Sequence, residues 1–114
     1  MELKRLPAAF YQSPSGNEPV RDWLLALDPK SRRIVGRDIA TAEFGWPLGM
    51  PLCRHLGDRL WEVRSNLTGG RVARVIFVVH AARMVLLHGF VKKTQRTPKR
   101  DLELARQRAR EITS

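Results

Sequence analysis

At 114 residues the chain has room for one domain around one modest core, and a hydrophobic share of 43% argues against global disorder. Its 21 Lys and Arg against 11 Asp and Glu leave a formal charge of +10, more than the magnitude of about 2 to 8 that keeps a small domain soluble, so polyanions such as nucleic acid or the ribosome, or an acidic protein, lead the possible partners. The single cysteine, Cys53, excludes an internal disulfide and speaks against a cysteine-rich zinc site; the longest apolar run, 75–79, is too short to span a bilayer, and no signal-peptide pattern opens the chain, so a cytoplasmic protein without membrane contact is expected.

In chain order, Leu3 to Gln12 reads as a strand that Pro7 confines to an edge or a bulge. "SPSGNEP", 13–19, is a turn by composition. "VRDWLLAL" then sets Val20, Trp23, Leu24 and Leu27 on one helical face. Asp28 before Pro29 is a cap-then-proline entry to a second helix, Pro29 to about Phe44, with Ile34, Val35, Ile39 and Ala42 as its buried stripe and Gly45 as its stop. The two helices form a hairpin, followed by a two-proline loop at 46–51.

Beyond that loop the period becomes alternating. Residues 58–65 form a strand with Trp61 and Val63 on one face and Leu60, Glu62 and Arg64 on the other. "NLTGG", 66–70, is a hairpin loop; 71–80 is a strand with Arg74 near its start; Ala81 to Arg83 turn the chain; 84–90 is the last strand. Both late strands are apolar enough for the middle of a sheet covered on both faces. A helix from about Pro98 to Ile112, capped by Thr97, buries Leu102, Ala105, Ala109 and Ile112 and turns Arg100, Arg106, Arg108 and Arg110 outward. The pattern predicts an α+β domain spanning 1–114, with a helical hairpin on an antiparallel sheet and a C-terminal helix.

Familiar catalytic motifs are missing from the sequence: no phosphate-binding glycine loop, no metal-spaced His or Cys pair, no nucleophile elbow. His55, His80 and His88 are scattered without a close-spaced acidic companion. The chemistry left is cationic. Arg64 shares a sheet face with Glu62, Arg74 begins the next strand, and Lys92 and Lys93 follow the one after, so a meander would bring them to one rim. Such a cluster suits a phosphodiester, because guanidinium groups grip phosphate oxygens and cations stabilise charge that grows in the transition state. RNA supplies its own nucleophile in the 2′-hydroxyl, and no metal or cofactor is required. Glu62 is either an acid or base, or a salt-bridge partner.

"LWEVRSNLTGGRVARVIFVVHAARMVLLHGFVKKTQRTPKRDLELARQR", 60–108, resembles the central and C-terminal blocks of the phage-derived HigB-like toxins of the RelE/ParE superfamily. The matching pieces are Leu60 to Arg64, Arg74 to Val79, His88 to Thr94 and Thr97-Pro98; "SPSGNEPVRDWL" resembles the family's first turn and helix. The resemblance implies a RelE-like fold and the toxin of a type II toxin–antitoxin system, an endoribonuclease that cuts mRNA in the 70S ribosome by 2′-hydroxyl attack. It implies Arg64, Arg74, Lys92 and Lys93 as catalytic residues with Glu62 beside them; Arg54, Arg71, Lys99 and Arg100 are further candidate RNA contacts. The partner it implies is an antitoxin, often a helix-turn-helix protein. Where relatives carry a tyrosine after Arg74, this chain has Ile76, Phe77 and Val78. Two alternatives stay open: a ParE-type gyrase inhibitor on the same fold, and a non-enzymatic nucleic-acid-binding protein reading through its basic last helix.

Overall fold

The computed structural model describes residues 3–113. In chain order the elements are β1 (Ala8–Phe10), α1 (Pro19–Ala26), α2 (Pro29–Gly45), β2 (Cys53–Gly57), β3 (Leu60–Asn66), a 3-10 turn (Thr68–Gly70), β4 (Val72–His80), β5 (Arg83–Lys92) and α3 (Lys99–Thr113). Among the described residues no helix is long and apolar enough to cross a membrane.

The helical hairpin forms as its punctuation predicts. Pro19 and Pro29 occupy the first turns of α1 and α2, and the Asp28 carboxylate accepts from the Ser31 amide at 3.1 Å. Arg32, one turn into α2, donates to the carbonyl oxygens of Leu24, Leu25 and Leu27, tying the end of α1 to the start of α2. The buried Glu43 accepts from the Ala8 amide at 2.7 Å and pairs with Lys4 at 3.0 Å, which draws the N-terminal segment along α2 and into the sheet.

The five strands lie in the order β1-β5-β4-β3-β2. The α+β class, the hairpin and the C-terminal helix match the RelE-like expectation; two features differ from it. First, the sheet is mixed: β2 to β5 are antiparallel neighbours, but β1 runs parallel to β5, from Ala8 opposite Met84 to Phe10 opposite Leu86. β1 is three residues rather than ten, and it sits at an edge, where Pro7, which has no amide proton, still accepts from the Met84 amide. Second, β2 fills a stretch that has no strand in the sequence reading. It joins β3 through a two-residue turn in which Asp58 and Arg59 have φ of 51° and 67°. Such turns usually advertise themselves as Asn-Gly. The β4–β5 turn repeats the trick with Ala81 and Ala82, at φ 51° and 59°, a conformation costing L-residues roughly 1–2 kcal/mol each and held here by the ladders on either side.

The sheet is covered on both faces. Val63, Ala73, Val75, Phe77, Met84 and Leu86 pack against Val20, Val35, Ile39 and Ala42 of the helical hairpin. Leu60, Ile76, Val78, Val85, Leu87 and Phe90 pack with Tyr11 beneath α3, whose Ala105 is buried and whose Leu102, Ala109 and Ile112 border the cluster. These are the helix stripes predicted above. β5 carries a bulge: Ile76 pairs with His88, whereas Phe77 pairs with Leu86, leaving Leu87 extra. The alternation of β5 therefore changes phase there. Before the bulge Met84 and Leu86 face the hairpin; after it Gly89 does, with Trp23 of α1 laid so close that a Cβ on Gly89 would stand 2.4 Å from the indole.

Candidate functional site

Five of the predicted residues lie on the α3 side of the sheet, at the end where β5 runs out. Arg54 of β2 stands opposite Glu62 of β3, and Arg64, two residues along the same face, stands opposite Arg74 of β4. Arg74 is in turn opposite Phe90 of β5, with its guanidinium carbon 5.9 Å from the ring centre. Lys92, the last residue of β5, shares that face by alternation and is exposed.

Glu62 is fully buried and has both oxygens occupied. Oε2 accepts from Arg64 Nη1 at 2.9 Å; Oε1 accepts from Thr97 Oγ1 at 2.8 Å. Of the two roles open to this carboxylate, the ion pair is the one present. Arg74 is also fully buried, yet among the described residues no carboxylate pairs with it: Nη2 donates to the carbonyl of Thr94, while Nε and Nη1 have no partner there. Burial pushes this guanidinium below its ordinary basicity; the Glu62 carboxylate opposes that, and the charges of Arg64 and Arg54 add to it. It stays protonated, because arginine does not lose its proton in proteins. Arg54, half-buried, donates from Nη1 to the carbonyl of Gln95 at 3.1 Å. The segment joining β5 to α3 thus lies over the cluster, held by Arg54, Arg74 and Glu62. Beside it a depression of about 260 Å³ is lined by Arg54, His55, Leu56, Arg96, Thr97 and Leu102.

The remaining predicted residues lie apart from this cluster. Lys93 follows the end of β5 and is exposed. Arg71 closes the 3-10 turn, donating to the Thr68 carbonyl at 3.0 Å; its charge adds to the Ser31 hydrogen bonds that hold the Asp28 carboxyl below the usual range, which places it at the start of α2. Lys99 and Arg100 are exposed on the first turn of α3, where Lys99 lies 3.9 Å from Glu103.

A family model described as phage-derived protein Gp49-like (DUF891) matches residues 22–110, more than three quarters of the chain and all of the clustered side chains. The chain belongs to this family. It is a RelE/HigB-like toxin family, and the α+β arrangement described above is consistent with a RelE-like fold. No curated protein matches this Gp49-like chain.

Three features of the Gp49-like site escaped the sequence reading. Thr97 is not the helix cap: α3 begins at Lys99, the Pro98 carbonyl accepts its first intrahelical bond at 3.1 Å, and the Thr97 hydroxyl turns to Glu62 instead. His88 does have an acidic companion, Asp101 at 2.6 Å, thirteen residues on and across a loop, so no test of close spacing finds it. His88 stacks on Phe90 at 5.6 Å, and the pair ties the first turn of α3 to β5. The carbonyls of Thr94 and Gln95 have no signature in a sequence at all. Arg108 corrects the outward-facing reading of α3's arginines: it donates to the Leu87 carbonyl at 2.7 Å and lies over the Tyr11 ring. Arg106 is tied to Asp58 at 2.8 Å.

Proposed function

We propose that this Gp49-like protein is the toxin of a type II toxin–antitoxin pair and a ribosome-dependent mRNA endonuclease. The observation that carries the reading is the gathering of Arg54, Arg64 and Arg74 on one sheet face around a single buried carboxylate, Glu62. The excess positive charge there matches what a phosphodiester brings, and the forked geometry of guanidinium groups matches its oxygens. In the reaction the 2′-hydroxyl of one nucleotide loses its proton and attacks the adjacent phosphorus. The O2′–P bond forms, the P–O5′ bond breaks, the leaving O5′ takes up a proton that balances the one lost from O2′, and the products are a 2′,3′-cyclic phosphate and a 5′-hydroxyl. The pentacoordinate intermediate carries more negative charge than the substrate, so fixed cations bind it more strongly and speed the step.

In this reading Arg74 and Arg54 hold the reacting phosphate, and Glu62 is a positioning residue that fixes Arg64. Lys92 and Lys93 at the rim, with Arg71, Lys99 and Arg100 further out, meet flanking RNA of the message or the 70S ribosome. A helix-turn-helix antitoxin masks the cluster, and the setting is the cytoplasm. Primer extension on a message, with and without translating ribosomes, tests the assignment. New 5′ ends only in the translating sample are expected. An intact message together with blocked DNA supercoiling would replace it with the gyrase reading.

A further inference from the structure

We propose that residues 94–97 are a displaceable cover over an oxyanion site formed by Arg54 and Arg74, the main-chain oxygens of Thr94 and Gln95 holding the places of the two non-bridging oxygens of an RNA phosphodiester. That the oxyanion is RNA rests on the endonuclease reading above.

Three of the four residues of this segment each engage a different member of the site. The Thr94 carbonyl accepts from Arg74, and the Gln95 carbonyl accepts from Arg54. Thr97 then donates to Glu62. Two adjacent peptide oxygens on two arginines match the count and kind of acceptor that a phosphodiester offers, but without its charge. The difference decides which occupant wins. Three guanidinium groups surround one carboxylate here, and neutral carbonyls leave that imbalance as it is. Arg74 shows the shortfall directly, since two of its nitrogens, Nε and Nη1, are buried without an acceptor. An anionic oxygen that reached them would satisfy donors that the cover leaves open, and charge-assisted bonds are roughly twice as strong as neutral ones. The phosphodiester therefore prefers the uncovered state, and that differential is what a ligand needs to shift a conformational equilibrium.

The segment is built to leave. Thr94, Gln95 and Arg96 are exposed and lie outside regular structure, and their only hydrogen bond to one another runs from Thr94 Oγ1 to the Arg96 carbonyl at 3.2 Å. β5 fixes one end and α3 the other, with His88–Asp101 pinning the first turn of the helix, so release moves a few residues and leaves the sheet in place. Arg64 stays with Glu62 Oε2 in both states, and the exchange takes in Arg54, Arg74 and the Glu62 Oε1 that Thr97 releases.

The experiment uses the full chain and a short oligonucleotide of 2′-deoxy residues, which carries the phosphodiester but lacks the attacking hydroxyl. Amide relaxation reads the cover. On binding, the order parameters of Gln95, Arg96 and Thr97 are expected to fall from about 0.85 to below about 0.6, with β3, β4 and β5 unchanged. Thr97→Val removes the tether to Glu62 and is expected to tighten oligonucleotide binding about fivefold by raising the uncovered population, while Thr97→Ser keeps the wild-type affinity. A cover that stays ordered in the complex, unchanged or weaker binding by Thr97→Val, or failure of the oligonucleotide to bind overturns the proposal. Ribosome-dependent cleavage is scored separately. Release of the cover without cleavage sinks the endonuclease reading alone; cleavage beneath an ordered cover sinks the cover alone.

Discussion

Arg64 and Arg74 face each other across β3 and β4, and Glu62 hydrogen-bonds only the first of them. Like charges in that relation destabilise a sheet, and Arg74 bears in addition the cost of full burial with two unpaired nitrogens. A residue so expensive to the fold is a candidate for function. Because Glu62 keeps Arg64 when Arg74 is removed, no charge is orphaned by the loss. The Arg74→Met protein is therefore expected to unfold at equal or higher denaturant, by up to about 2 kcal/mol, and to cleave message at least about 100-fold more slowly. Urea titration and primer extension check the two halves; a variant that is unstable and fully active would refute the trade-off.

Glu62→Gln gives the opposite balance. The substitution keeps the shape and a carbonyl for Thr97, but leaves Arg54, Arg64 and Arg74 without a buried carboxylate. A destabilisation of about 3 kcal/mol is expected, as for other half-removed buried pairs. The urea midpoint reads it, and a loss under about 1 kcal/mol would mean that water already screens the cluster.

Gly89→Ala tests the packing of α1 on the sheet. The new methyl group would fall 2.4 Å from Trp23 Cε3, so the indole has to move. Overpacking of this kind costs about 2 kcal/mol. The cost is expected to shrink in a Trp23→Leu background, where the double-mutant cycle isolates the one contact.

Cys53 is buried, and that burial pushes its thiol up to about 11. At pH 8 only about one molecule in a thousand carries the thiolate, so iodoacetamide is expected to label the folded protein slowly and the urea-unfolded protein readily. The sign for stability follows. The folded state favours the protonated thiol, so its contribution is present below pH 9.0 and is lost as the pH climbs towards about 11. Equal labelling rates for folded and unfolded chains would contradict the burial.

What could be read from the sequence follows physical range. Periodicity is local, so the stripes Val20-Trp23-Leu24-Leu27, Val35-Ile39-Ala42 and Leu102-Ala105-Ala109-Ile112 were legible, as was the shared face of Glu62 and Arg64. β2 was not, because Asp58-Arg59 adopts a glycine-type turn without glycine. The parallel pairing of β1 was hidden too, since strand direction depends on where a distant segment docks. In the site, the arginines were visible as charges. Their carbonyl partners on Thr94 and Gln95, and the His88–Asp101 pair, depend on a loop closing back over the sheet. Side-chain chemistry is written in the sequence; the use of main-chain oxygens is not.

Leu87 works as a spacer between two reading frames in one strand. Upstream of it, β5 is in phase with the helical hairpin through Met84 and Leu86; downstream, His88 and Phe90 are in phase with Asp101 and Arg74. Drawing that one residue into the regular ladder, with no bulge, would restore plain alternation and exchange the tenants of the two faces beyond it. Phe90 would press towards the ground that Trp23 occupies, and Arg74 would lose its aromatic neighbour. The strand's packing half and its site half thus keep separate phases, and each can change by substitution for as long as the extra residue stays outside the ladder.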